Sequence, residues 1–161
     1  MNFNFLSPVS DHVLAHNELL SPQALGKKIK IHSEQDGLPD LDNVRLAIIG
    51  VLENRKDVNY IGEDLNFDTI RIALYSLFPG NWSTTVADLG DIKKGDSVED
   101  TYFALRTTIS VLLEKKIIPV MLGGSQDLTY ANYRSYDTMA PMVNIVNVDS
   151  NFDLGDTSVE M

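Results

Sequence analysis

A chain of 161 residues, 43% hydrophobic and 22% charged, is long enough to bury one core of ordinary size and is neither disordered nor fibrous. Its formal net charge of -10 disfavours nucleic acid, whose phosphates need Lys and Arg, and disfavours anionic membrane surfaces. Cysteine is absent, which excludes disulfides, thiolate zinc sites and cysteine nucleophiles, and neither a membrane-length apolar run nor a secretory leader stands in the sequence, so a cytoplasmic protein is expected.

Residues 1–42 read as an N-terminal extension, and residues 43–161 as part of an α/β domain. Ser10 or Asp11 can cap a short helix, and Ser21 before Pro22 has the pattern of a helix start. Residues 28–32 alternate with period two, as an edge strand does. The run from Arg45 to Val51 is continuously apolar, the pattern of a strand buried on both faces. A polar loop follows at residues 53–57. A helix is expected over residues 66–78, with Ile70, Ala73, Leu74, Leu77 and Phe78 on its buried side. Residues 84–88 read as a second strand, with Leu89, Gly90 and Asp91 as its exit turn.

Ser97 opens a long helix with Asp100 three residues on, a variant of the capping box. Phe103, Leu105, Thr108, Ile109 and Leu112 are its expected core face. Residues 117–122 form a third strand, 127–136 a short helix and 143–148 a fourth strand. Strand and helix alternate along the chain. The fold class is therefore α/β: three layers, α/β/α, around a mainly parallel sheet.

Two polar turns close the last two strands. The first holds Gly123, Gly124, Ser125, Gln126 and Asp127; the second holds Asp149, Asn151 and Asp153. Strand ends in such folds are where sites are built. Carboxylates two to four residues apart can converge on a hard cation. They can equally bond the turn's own backbone. Asp149, Asn151, Asp153 and Glu160 also follow the order of a calcium loop, although Leu154 stands where that loop wants glycine. The two glycines could cradle a phosphate, or simply allow close packing. Asp88 and Asp91 suit either turn formation or general acid–base work. His12 and His16 lack the carboxylate of a zinc-protease helix, and Tyr130, Tyr133 and Tyr136 read as core-covering residues.

The order of these segments resembles the ureohydrolases: arginase, agmatinase and formimidoylglutamase. The resemblance rests on Ile49, Gly50 and Val51 at a strand end, on Ile70 and Arg71 at a helix start, and on Asp88, Leu89, Gly90 and Asp91. It also rests on Gly123, Gly124, Ser125, Gln126 and Asp127 where the family has Gly-Gly-Asp-His-Ser, and on residues 149–153 where it has Asp-x-His-x-Asp. It implies an arginase-like fold, incomplete at its C-terminal side, and a cage for two Mn2+ ions that activate water against a C–N bond of a small amidine-like substrate. Asp149, Asn151, Asp153 and Gln126 would be its metal positions, lined by Gly123, Gly124, Ser125 and Asp127. Gln126 and Asn151 stand where the family carries imidazoles, and an amide oxygen is the feebler donor. The resemblance thus implies weak or absent Mn2+ here and a chain without activity. An active formimidoylglutamase-type hydrolase at full length is the alternative, and a homo-oligomer is a further expectation.

Overall fold

The computed structural model of the protein describes residues 5–137 and 143–148. Five strands form one sheet: β1 (Leu6–Ser7), β2 (Lys30–Ile31), β3 (Leu46–Val51), β4 (Val86–Ile92) and β5 (Ile118–Leu122). β3 lies between β4 and β5, parallel to both. β2 pairs parallel, and β1 antiparallel, with different stretches of β4. Four helices accompany them: α1 (Asp11–Leu19), α2 (Asp68–Tyr75), α3 (Val98–Glu114) and α4 (Leu128–Arg134). Helices cover both faces of a mostly parallel sheet, as expected for α/β.

Alternation along the strands sorts the core into two halves. Ala47, Ile49, Val51, Ala87 and Leu89 pack against Leu105, Ile109 and Leu112 of α3 and Leu128 of α4. Ile48 and Val86 point the other way, against Val13 of α1, Leu25 and Tyr75 of α2. β3 is buried on both faces because it is the central strand with a helix layer on each side. At the start of α3, the Ser97 side chain accepts from the Asp100 N–H and the Asp100 side chain accepts from the Ser97 N–H, completing the capping box. Ser10 caps α1 through Val13 N–H.

Residues 5–42 add β1 and β2 to the sheet and Val9, Val13, Leu25 and Ile29 to the second core half. Ser21 and Pro22 open no helix; a 3-10 turn forms instead over Leu25–Lys27.

Three further expectations are corrected. β4 does not stop at Asp88 but runs to Ile92, and Leu89, Gly90 and Asp91 form a bulge within it. Gly90 takes a φ of 80°, and a Cβ there would meet the Ser7 carbonyl of β1. The extra residue turns Asp91 onto the same sheet face as Asp88. α2 buries Arg71 and Tyr75, and the stripe of Ile70, Ala73, Leu77 and Phe78 faces outward. The reason is Asp88: a carboxylate fully enclosed in the sheet requires a cation and a hydroxyl, and α2 rotates to deliver both. Residues 143–148 form no strand, and Ile145, Val146 and Val148 are exposed. Phe103, Tyr130 and Tyr133 are likewise exposed, Phe103 meeting Phe5 edge to face, whereas Tyr136 packs against the core.

Candidate functional site at the C-terminal edge of the sheet

The parallel strands β3, β4 and β5 all end on one side, and two polar constellations stand there. The first is a buried ion network. The Arg71 Nε donates to Asp88 Oδ2 at 2.9 Å and its Nη2 donates to the Gly90 carbonyl at 3.1 Å. A second ion pair joins Arg71 to Asp91 at 2.8 Å. The Tyr75 hydroxyl donates to Asp88 Oδ2 at 2.9 Å. Burial pushes the Asp91 carboxyl up, outweighing Arg71. Burial and the neighbouring Asp88 push the Tyr75 phenol up. Gly50 of β3 leaves the space in which Asp91 and the Phe67 ring sit, for a Cβ there would collide with both. A charge-saturated guanidinium and a carboxylate that accepts four hydrogen bonds, two from Arg71 and one each from the Tyr75 hydroxyl and Gly90 N–H, hold α2 on the sheet; Asp88 has no free lone pair to serve as a base.

The second constellation fixes the turn after β5. Gly123 and Gly124 take φ values of 64° and 82°, open to glycine and strained for other residues. The Phe67 ring covers Gly123, and Leu128 covers Gly124. Ser125 is buried; its N–H donates to the Glu53 carbonyl at 2.9 Å. The Asp127 carboxylate accepts the Tyr102 hydroxyl of α3. Glu53 ties the turn to both neighbours. Its carboxylate accepts from Arg55 Nε at 2.9 Å and from the Thr101 hydroxyl at 2.9 Å, while Arg55 donates onward to the carbonyls of Gly95 and Asp96. Gln126 is exposed, and its backbone carbonyl accepts from Thr129 N–H at 3.0 Å.

The Glu53 carboxyl is pulled both ways. Burial raises it, but hydrogen bonds from the Arg55 side chain and backbone and from Thr101 lower it further, and it settles at about 2 against an ordinary 4.5. A carboxyl that is harder to protonate in the folded chain adds stability that is complete above the unfolded value. That stability is lost as pH falls from there toward the folded value. Glu53→Gln is therefore expected to cost on the order of 2–3 kcal/mol near neutral pH, and the gap from the parent protein should close by about pH 2–3. Urea titrations of both proteins across that range measure it; a gap that stays constant with pH would show that the carboxylate charge is not what holds the turn.

Of the residues singled out from the sequence, the structure brings Ser125 and Asp127 into contact with the rest of this edge, and Gln126 is exposed. Asp149, Asn151 and Asp153 lie outside the described residues. Among the described residues, no group of three or more His, Asp or Glu side chains could hold a metal ion. The β5 turn supplies one amide and one carboxylate already engaged by a phenol, a donor set that does not by itself fit a divalent cation. Glu53 and Phe67 were not expected at the site. The signal for Glu53 was a polar loop, residues 53–57, that begins two residues after a buried strand; Phe67 carried none.

The profile described as the Arginase family matches residues 45–160. A formimidoylglutamase of Ralstonia nicotianae is 28% identical over 102 residues, covering 58% of this chain and 31% of that protein. A formimidoylglutamase of Hahella chejuensis is 33% identical over 93 residues, covering 54% and 28%. The matched region thus spans about a third of these curated relatives. No helix among the described residues is long and apolar enough to cross a membrane. With a match that starts at the head of β3 and carries both constellations, this chain belongs to the arginase family.

Proposed function

We propose that this chain is a divergent, formimidoylglutamase-like member of the family that has lost hydrolysis and serves in the cytoplasm as a binding or assembly module. The observation that carries the reading is the pair Gln126 and Asn151, two amides at the positions where the resemblance implies imidazoles. Each substitution replaces a good donor for a borderline cation by a neutral oxygen. The frame around the β5 turn, built by Phe67, Leu128, Glu53 and Tyr102, engages the turn without a metal donor at residue 126, so the fold can stand without the chemistry. The second reading is a hydrolase of a non-peptide C–N bond in a small amidine-like substrate, dependent on Mn2+. Asp149 and Asp153, retained at the carboxylate positions, favour it, as do the printed names of the two relatives.

Manganese separates the two. A ligand that binds the folded state raises the melting temperature by mass action. With Mn2+ the chain is expected to melt unchanged up to about a hundred micromolar, well above the range in which a built site would respond. A rise of several degrees at micromolar Mn2+, abolished by Asp149→Ala, would establish the hydrolase reading instead.

A further inference from the structure

A groove of about 270 Å3 runs between α3 and α4, walled entirely by side chains from residues 99–134. The Tyr102 hydroxyl donates to Asp127, and the Ser110 hydroxyl donates to the Ser135 carbonyl at 3.5 Å. Both bonds join residues 25 apart, so the two helices run side by side, in the same direction and in step. Each helix brings the same pattern to the groove, an aromatic residue and an arginine four positions later. On α3 these are Tyr102 and Arg106; on α4 they are Tyr130 and Arg134. Residues four apart share a helix face, so the rings line one end of the groove and the guanidiniums the other. Phe103 adds a third ring, and buried Ala131, the smallest lining residue, leaves room between the walls. Phe103 is 63% and Tyr130 60% exposed, whereas the Tyr102 ring is fixed by Asp127 and by the Lys56 ammonium 5.1 Å from its centroid.

We propose that this groove binds a small aryl phosphate, its ring against Tyr102, Phe103 and Tyr130 and its phosphate between Arg106 and Arg134. Charge is the first argument. The chain has a formal net charge of -10, yet two arginines and one carboxylate line the groove. That carboxylate, Glu99, is already paired with Lys56 at 3.8 Å. Arg134 pairs through Nε with Asp137 at 2.7 Å, which leaves its two Nη groups for an anion. Arg106 stands in no ion pair among the described residues. Guanidinium forks match phosphate oxygens, and two of them on facing helices suit a dianion better than a single carboxylate. Ring chemistry is the second argument: three aromatic side chains beside the cations offer faces and edges to one planar apolar body. Size is the third. The hollow falls just below the roughly 300 Å3 at which sites for drug-sized molecules begin, so one ring with one anionic group is the scale it takes. The site shares no lining residue with positions 126 and 149–153, and stands whether or not the chain hydrolyses anything.

Calorimetric titration of the full chain with phenyl phosphate tests it. A Kd on the order of 0.1–1 mM is expected for so small a ligand. Benzoate, phenol and inorganic phosphate, which each lack one part of the recognition, should bind at least about fivefold more weakly. Arg106→Gln and Tyr130→Ala, each alone, should weaken phenyl phosphate about tenfold. Both side chains are exposed, so melting temperatures should stay near that of the parent. Lys28→Gln removes the same charge from an exposed position outside the groove, and should change the affinity less than about twofold. Backbone amide shifts on titration should cluster at residues 99–106 and 130–134. The absence of binding at about 10 mM phenyl phosphate overturns the proposal. So does inorganic phosphate or benzoate binding as tightly as phenyl phosphate, or an affinity that survives both Arg106→Gln and Tyr130→Ala.

Discussion

Replacing Asp88 by alanine is expected to cost about 3–5 kcal/mol of unfolding free energy. The substitution leaves the Arg71 guanidinium enclosed with only Asp91 and the Gly90 carbonyl for company, and leaves the Tyr75 hydroxyl with no acceptor. Both groups are fully buried, so water cannot replace the missing carboxylate. Arg71→Met should be nearly as harmful for the converse reason, an unpaired Asp88 in the sheet. The double variant should lose less than the sum, with a coupling of about 1–3 kcal/mol in a double-mutant cycle. Urea unfolding measures all three. A loss below about 1 kcal/mol for Asp88→Ala would mean that burial of this ion network is relieved in solution, and that α2 is held by its apolar contacts instead.

The same network explains where sequence reasoning succeeded and where it could not. β3, β5 and α3 are dictated by local pattern: a continuous apolar run, a second run ending in two glycines, and a capped amphipathic helix. Each was legible because its period and its neighbours agree. The match of the chain to the arginase family bears out the resemblance drawn from segment order. α2 is different. Its apolar stripe runs Ile70, Ala73, Leu74, Leu77, Phe78, and periodicity alone turns that side inward. The decision lies 13 to 20 residues away in Asp88 and Asp91, which draw Arg71 and Tyr75 down; no window along one helix contains it. The bulge at Gly90 was read as a turn because Leu-Gly-Asp is turn chemistry, and only pairing with β3 and with β1, both distant in sequence, shows that the chain continues as strand. Residues 143–148 show the limit from the other side: a run rich in Val and Ile does not become a strand unless another strand pairs with it. Ser125 and Asp127 drew attention because they stand in a strand-end turn, whereas Glu53, whose carbonyl accepts from Ser125 N–H, and Phe67, whose ring covers Gly123, follow a different strand and were invisible as partners.

Gly124→Ala is the substitution that tests how far that turn can yield. The added methyl would force a residue with a φ of 82° out of the left-handed region, and would press on Leu128 and on the Glu53 carbonyl that accepts from Ser125 N–H. Left-handed strain of about 1–2 kcal/mol and overpacking of about 1–3 kcal/mol act together, because relieving either one moves the backbone toward the other obstacle. A loss of about 2–4 kcal/mol is expected. Gly80→Ala provides the comparison: its φ of 58° is also left-handed, but nothing lies within 4 Å of the new Cβ. It should cost only the strain, about 1–2 kcal/mol. The difference between the two in urea unfolding isolates the packing of the turn against β3 and α4. It should also appear locally, as faster amide exchange at Ser125, whose N–H would lose its fixed distance to Glu53. Equal losses for the two glycines, with Ser125 exchange unchanged, would mean that Leu128 gives way freely. The turn carrying Gln126 would then be held by its own backbone, without the clamp that Glu53, Arg55 and Thr101 provide.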